Sequence, residues 1–375
     1  MKTAPRPRAL RSPLVGAVLA VALASLGCNA SVHSDGTATS TGRHVHADDV
    51  DTQLLMASMH FEGLGVPRNP DEAARWYRMA ADQGAPEAQY SLGVMSERGE
   101  GLPKSDEQAA HWYGLAAEAG HAEAQNNLGL MLLAGRGVER DTAKAAAWLR
   151  EAAESGRSEA QCALGLLYAE GQGVDRDPAL AVRWLTPAAE RGSALAQARL
   201  ASLLAKGAGD PGGAPDPAGA ALWMRRAAEQ GLASAQAGLG LAYTRGDGVE
   251  RDPKEGARWL ERAADQGHPG AQGNLGLLYL KGEGVDRDDR AAVRWFRRAA
   301  EQGLAVAQSR LGSMYEYGRG VGVDAVTAYA WYTLAAEQGD RSATERRASL
   351  AKRIDAELVA EGERMASEKR DALPR

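Results

Sequence analysis

Eight tryptophans punctuate this chain of 375 residues at regular intervals. They are Trp76, Trp112, Trp148, Trp184, Trp223, Trp259, Trp295 and Trp331, so every step between them is 36 residues except one of 39. A fixed period in this range marks a repeat array, in which each small unit buries its apolar face only by stacking on the next. Paired glycines keep the same interval ahead of seven of the eight Trp, from Gly63-Leu64-Gly65 to Gly318-Arg319-Gly320. The one disturbed copy lies near Lys206, where the run GDPGGAPDP supplies the extra residues. Such a stack grows without a single thick core, so length alone sets no domain count.

Each period reads as two helices. Asp252 is a helix-capping residue type followed by Pro253, which tolerates the first turn because its missing N–H has no helical partner there. The equivalents are Asn69, Ser105, Asp141, Asp177, Asp216, Asp288 and Asp324, all able to cap. Ala257, Leu260, Ala263 and Ala264 fall on one face of the helix that starts here, and Gly267 is placed to stop it. The other helix spans about Gly270 to Lys281, with Ala271, Leu275 and Leu278 on one face and Gly276 inside it. A glycine within a helix costs about 1 kcal/mol against alanine. Its recurrence at Gly93, Gly129, Gly165, Gly240 and Gly312 predicts close approach of a neighbouring helix backbone. The Trp side chains are expected to fill contacts between adjacent repeats, since a ligand site does not need eight copies at a strict period.

Composition suits this reading: 44% hydrophobic and 25% charged, with only 5% aromatic residues. A net charge of −5 gives no basic face for nucleic acid.

The N-terminus differs. Lys2, Arg6, Arg8 and Arg11 precede the apolar run LVGAVLAVALASL, which ends at Gly27-Cys28. A basic head, a short apolar core and small residues describe a secretory signal, and the run is shorter than the ~20 residues that span a bilayer. Ser25-Leu26-Gly27-Cys28 resembles a bacterial lipoprotein signal, which implies lipidation of Cys28 as the mature N-terminus. Cleavage after Ala22-Leu23-Ala24 is the other reading. Residues 29–47 are rich in Ser, Thr and Gly and read as a flexible tether. His44 and His46 lie in it without further metal ligands. The organisation expected is a signal peptide over 1–27, the tether over 28–47, eight repeats over 48–339 and a capping helix over 340–375, where Leu350, Ile354, Leu358 and Met365 form an apolar stripe.

The pattern in Ala271-Gln272, Leu275-Gly276, Tyr279, Gly282 and Val285, followed by Asp288, Ala292, Trp295-Phe296 and Ala299-Ala300-Glu301-Gln302-Gly303, resembles the Sel-1-like repeat family, relatives of tetratricopeptide repeats. The resemblance covers roughly residues 48–339. It implies an all-α fold, an α/α solenoid wound as a right-handed superhelix, whose members usually act as protein-binding adaptors. Cysteine-rich relatives carry a Cys pair in each repeat, and β-lactamase or penicillin-binding activity is attributed to them. Here Cys162 is the sole cysteine after Cys28, so that attribution does not carry over.

No catalytic constellation emerges. Ser349-Leu350-Ala351-Lys352 matches S-x-x-K, but no K-T-G follows anywhere. No cofactor, metal site or small-molecule substrate is expected. By analogy with tetratricopeptide arrays, positions three before, one after and four after the helix glycine face the concave side. That register gives Tyr90, Val94 and Glu97, then Asn126, Leu130 and Leu133, then Cys162 and Leu166. It continues through Leu241 and Thr244, Leu277 and Leu280, and Ser309 and Glu316. The strip is mostly small or apolar and suits an extended peptide or a partner helix. The function expected is a non-catalytic scaffold for a protein or peptide partner, held by the Cys28 lipid at a bacterial membrane. Asn29 after that Cys points to the outer membrane, facing the periplasm. A cell-wall enzyme and a purely structural spacer are the competing readings.

Overall fold

The computed structural model describes residues 48–208 and 212–373. Among them are eighteen helices and no strand, and the chain divides into two compact units between Arg140 and Asp141. The first unit contains α1 (Val50–Glu62), α2 (Pro70–Asp82), α3 (Pro86–Arg98), α4 (Asp106–Glu118) and α5 (Ala122–Ala134). The second begins with α6 (Thr142–Glu154), α7 (Ser158–Glu170), α8 (Pro178–Glu190), α9 (Ala194–Leu204), α10 (Pro217–Glu229) and α11 (Ala233–Arg245). It continues with α12 (Pro253–Asp265), α13 (Pro269–Lys281), α14 (Asp289–Glu301), α15 (Ala305–Tyr317), α16 (Ala325–Glu337), α17 (Arg341–Ala351) and α18 (Ala356–Ala372). Within each unit helices pack on their chain neighbours, giving the all-α solenoid that the 36-residue period predicts. Odd-numbered helices up to α15 lead each repeat, and even-numbered helices up to α16 trail it.

Local chemistry sets the helix ends. All eight expected capping side chains accept a backbone N–H from the first turn of a trailing helix, as Asp288 does from Ala291 at 2.9 Å and Asp177 from Leu180 at 2.9 Å. The leading helices end on a left-handed glycine, except α9. It stops two residues short at Leu204, where Ala205 closes the helix in right-handed geometry ahead of the longer connection.

Packing explains the helix glycine. A Cβ on Gly276 would stand 2.9 Å from the Phe296 ring and 3.3 Å from the Ala292 carbonyl. On Gly312 it would stand 2.9 Å from Tyr332, and on Gly165 2.6 Å from Leu185. The expected close approach is present, but the nearest atom is a large side chain of the trailing helix, with backbone behind it. Gly240 is the closest to a backbone contact, since the Gly256 carbonyl would be 2.9 Å away.

Trp259 and Trp331 lie on the preceding repeat, as expected. Trp259 on α12 joins Ala227, Ala228, Ala235 and Leu239 of α10 and α11, and Trp331 on α16 joins Ala292, Ala299 and Leu311. An Arg one turn further on covers the outer ring face: Arg262 lies 4.4 Å from the Trp259 centroid and Arg298 4.7 Å from that of Trp295. Position 334 is Leu, so at Trp331 the cation comes instead from Lys369 of α18, at 4.8 Å.

A ladder of buried glutamines ties successive repeats together. Gln272 donates from Nε2 to the Ala264 carbonyl eight residues back, at 3.1 Å, and its Oε1 accepts from Gln302 thirty residues on, at 2.8 Å. Gln236 and Gln308 repeat both bonds. Gln89 makes only the first, to Ala81, because the residue thirty positions on is Ala119, and its buried Oε1 has no hydrogen-bond partner. An unsatisfied buried acceptor costs about 1–3 kcal/mol. Ala119→Gln should therefore stabilise the first unit by about 1 kcal/mol, read as a higher urea midpoint, and an unchanged midpoint would refute this account.

The C-terminal region departs from the single capping helix expected over 340–375. Two helices, α17 and α18, both pack on α16, and the chain turns between them around Arg353 and Ile354. Ile354 joins Leu350, Tyr329 and Tyr332 in one apolar cluster, while Met365 and Ala366 pack with Trp331. The turn lets one amphipathic stretch cover α16 twice. Arg353 pairs with Glu316 and Arg370 with Glu337, holding both pieces in place.

Candidate partner-binding face

A leading helix buries Ala, Gln, Leu and Gly against its own and neighbouring repeats, which leaves one stripe open. Counted from the helix glycine, the stripe runs six before, two before, one after and five after, a spacing of four, three and four residues that follows one helical face. In the first unit it carries Glu87, Ser91, Val94 and Arg98 on α3, and Glu123, Asn127, Leu130 and Ala134 on α5. In the second unit it passes through Leu195 and Arg199 on α9, Leu241 and Arg245 on α11, Leu277 and Lys281 on α13, and Val306, Arg310 and Tyr317 on α15. Among the described residues the exposed large apolar side chains number eight, and Leu130, Leu195, Val306 and Tyr317 of them lie on this stripe.

The register expected from sequence is offset from it. Positions one after the glycine agree: Leu130 is exposed, and Val94, Leu166, Leu241 and Leu277 are half-buried. Positions three before do not. Asn126, Cys162 and Ser309 are buried and present nothing to a partner. Cys162 packs with Leu185, Ala188 and Leu200, and burial raises its thiol pKa above the ordinary value, which suits an inert core residue. Tyr90, at the same position, is half-buried with its ring stacked on His121 at 4.6 Å. The positions four after the glycine are turned partly inward, with Leu133, Thr244 and Leu280 half-buried.

Glu97 and Glu316 are committed to internal bonds. The Tyr113 hydroxyl donates to Glu97 at 2.8 Å, and Arg136 pairs with the same carboxylate. The Tyr332 hydroxyl donates to Glu316 at 2.7 Å, and Arg353 completes that site from beyond α17. Burial first, then the bonded carboxylate, pushes both tyrosine hydroxyls well above their ordinary range. These groups brace repeats rather than offer charge to a ligand.

Two clefts flank the helices of the second unit. One, of about 350 Å³, opens on the stripe between α13 and α15 and is lined by Gly270, Gly273, Asn274, Leu277, Phe296, Leu304, Val306, Ala307 and Arg310. The other, of about 260 Å³, lies against α12 and is lined by Lys254, Ala257, Arg258, Glu261, Leu275, Tyr279, Gly284 and Val285. The first was not anticipated from sequence. Its signal is the pair Gly270 and Gly273, where the leading helices of other repeats carry Glu159 and Cys162, Leu195 and Ala198, or Val306 and Ser309.

The remaining motifs add no chemistry to this face. Ser349 and Lys352 are exposed at the end of α17, where the Ser349 carbonyl accepts from Arg353 at 3.4 Å. Among the described residues no group of three or more His, Cys, Asp or Glu side chains is arranged to hold a metal ion. Cys28, His44 and His46 lie outside the described residues.

Comparison with known proteins follows the same repeats. The Sel1 repeat pattern matches eight times, at residues 50–84, 86–121, 122–156, 158–193, 194–232, 233–268, 269–304 and 305–340. The crystal structure of c5321, a protective antigen present in uropathogenic Escherichia coli strains displaying an SLR fold, is 32% identical. Its TM-score is 0.64, and the match covers 87% of this chain and 77% of that one. A Sel1 repeat protein from Oxalobacter formigenes is 36% identical with a TM-score of 0.61, over 81% of this chain and 88% of its own. The comparison with curated proteins gives no match.

Proposed function

This chain belongs to the Sel1 repeat family, and we propose that it serves as a non-catalytic adaptor in the bacterial cell envelope, docking a protein or peptide on its leading helices. Sel1 repeat solenoids are in general protein-interaction scaffolds, which makes a protein partner the natural ligand class. The observation that carries the reading is the stripe itself. Among the described residues, half of the exposed large apolar side chains lie along it, beside charged helix ends, which is the make-up of an interaction surface rather than of an inert spacer. Photo-crosslinking from stripe positions in the native cell, followed by mass spectrometry, tests it. Leu241→Glu with Leu277→Glu should abolish capture of partners while circular dichroism and melting stay close to wild type. A well-folded double variant that keeps every wild-type partner would sink the reading.

The envelope location rests on Cys28. A basic head, a short apolar run and a cysteine at its end support acylation, with Asn29 directing the protein to the outer membrane. Cys28→Ala should release the protein from the membrane fraction. An unlipidated N-terminal peptide in the mass spectrum of the wild type would refute the anchor.

A further inference from the structure

We propose that the cleft between α13 and α15 is a receptor for one apolar side chain of an acidic peptide segment, with Arg310 receiving a neighbouring carboxylate. The inference rests on the adaptor reading and names its site and ligand class. Gly270 and Gly273 leave open the space that side chains fill on the other leading helices of this unit, while Leu277, Leu304 and Val306 supply apolar walls. Phe296 stands behind these walls and is itself fully buried. A cleft of about 350 Å³ with apolar walls accepts a projecting side chain, which distinguishes it from a flat helix surface.

Charge selects the flanking residues. From α9 to α15 the stripe carries Arg199, Arg245, Lys281 and Arg310 and no acidic residue. The side chains of Arg245, Lys281 and Arg310 make no hydrogen bond or ion pair with another described residue. The single acid of these leading helices, Glu316, is already bound by Tyr332 and Arg353. Unpaired cations beside an apolar recess complement a segment in which Asp or Glu surrounds Leu, Met or Phe. The same cations would also attract an anionic lipid surface, but a membrane has no use for a cleft walled by Leu277, Leu304 and Val306.

The test is selection of a displayed library of random twelve-residue peptides on the full chain. Selected peptides should share an apolar residue flanked by Asp or Glu. Gly270→Leu with Gly273→Ala fills the cleft using residues that α9 carries at the same positions, Leu195 and Ala198, so the variant is expected to fold. It should weaken the selected peptides at least tenfold, as should Arg310→Glu, and raised salt should weaken them further. Peptides without acidic residues, no selected peptide at all, or unchanged binding by the filled variant would overturn the proposal. Sedimentation with phosphatidylglycerol vesicles that is indifferent to the filled cleft, in place of peptide binding, would assign the cations to lipid and overturn it too. If the filled variant still crosslinks every native partner, the cleft is excluded and the adaptor reading stands. If the wild type crosslinks none, the adaptor reading fails first.

Discussion

Gly284→Ala should destabilise the second unit by about 3 kcal/mol or more, whereas Gly267→Ala should cost only about 1 kcal/mol. Both glycines have left-handed backbones, with φ of 77° and 88°, so both substitutions carry the penalty of roughly 1–2 kcal/mol for a Cβ in that region. Loss of backbone freedom in the unfolded chain returns part of it. The surroundings separate the two. Nothing lies within 4 Å of a Cβ on Gly267. On Gly284 the same atom would collide with the Pro253 carbonyl at the start of α12 and lie 2.9 Å from the Lys254 nitrogen. Backbone cannot rotate out of the way, so the turn after α13 would have to leave the preceding repeat. The turn glycines Gly101, Gly173 and Gly320 meet the carbonyls of Pro70, Thr142 and Asp289 in the same way. Chemical denaturation of the two variants, with hydrogen exchange over residues 253–285 to locate the loss, measures the difference. Equal destabilisation would mean that the inter-repeat contact contributes nothing.

How much of this was legible from the letters depends on how local each interaction is. The eight caps were, because a capping Asp bonds a backbone N–H three residues ahead in its own segment. Repeat length and helix alternation were legible for the same reason, since a mistake at one copy is corrected at seven others. The glutamine ladder was not read. Gln272 and Gln302 both stand in the motif that carries the family resemblance, yet their bond joins residues thirty apart, and helical periodicity cannot show that. The open face of the leading helices was read about one position out of register. A tetratricopeptide analogy placed Asn126, Cys162 and Ser309 in the open, but packing around the leading helices buries them and turns Arg310 and Val306 outward. One residue is 100° of helix rotation, enough to exchange a core position for a surface one. The cleft at Gly270 and Gly273 escaped because its signal is what those two residues lack, visible only when the repeats are compared position by position.

The Trp series sets the stability of the stack, and Trp259→Ala should cost about 3–5 kcal/mol, the range for deleting a large buried aromatic. Trp259 is 8% exposed and fills the angle between α10 and α11 with Ala227, Ala228, Ala235 and Leu239, which are too small to close over the gap it would leave. Arg262 covers the outer ring face, but removing it should cost only about 0.5–1 kcal/mol, since the site is exposed on that side. The contrast between Trp259→Ala and Arg262→Ala thus separates apolar burial from cation–π attraction at a single ring. Because each repeat touches only its neighbours, the loss should be confined to the repeats on either side of Trp259. Hydrogen exchange should quicken across α10 to α12 and stay slow in α16, where Trp331 is held by α18. Protection over α10 to α12 equal to wild type would show that the ring is not what joins these repeats. Uniform loss over the whole second unit would show that the repeats unfold as one cooperative body.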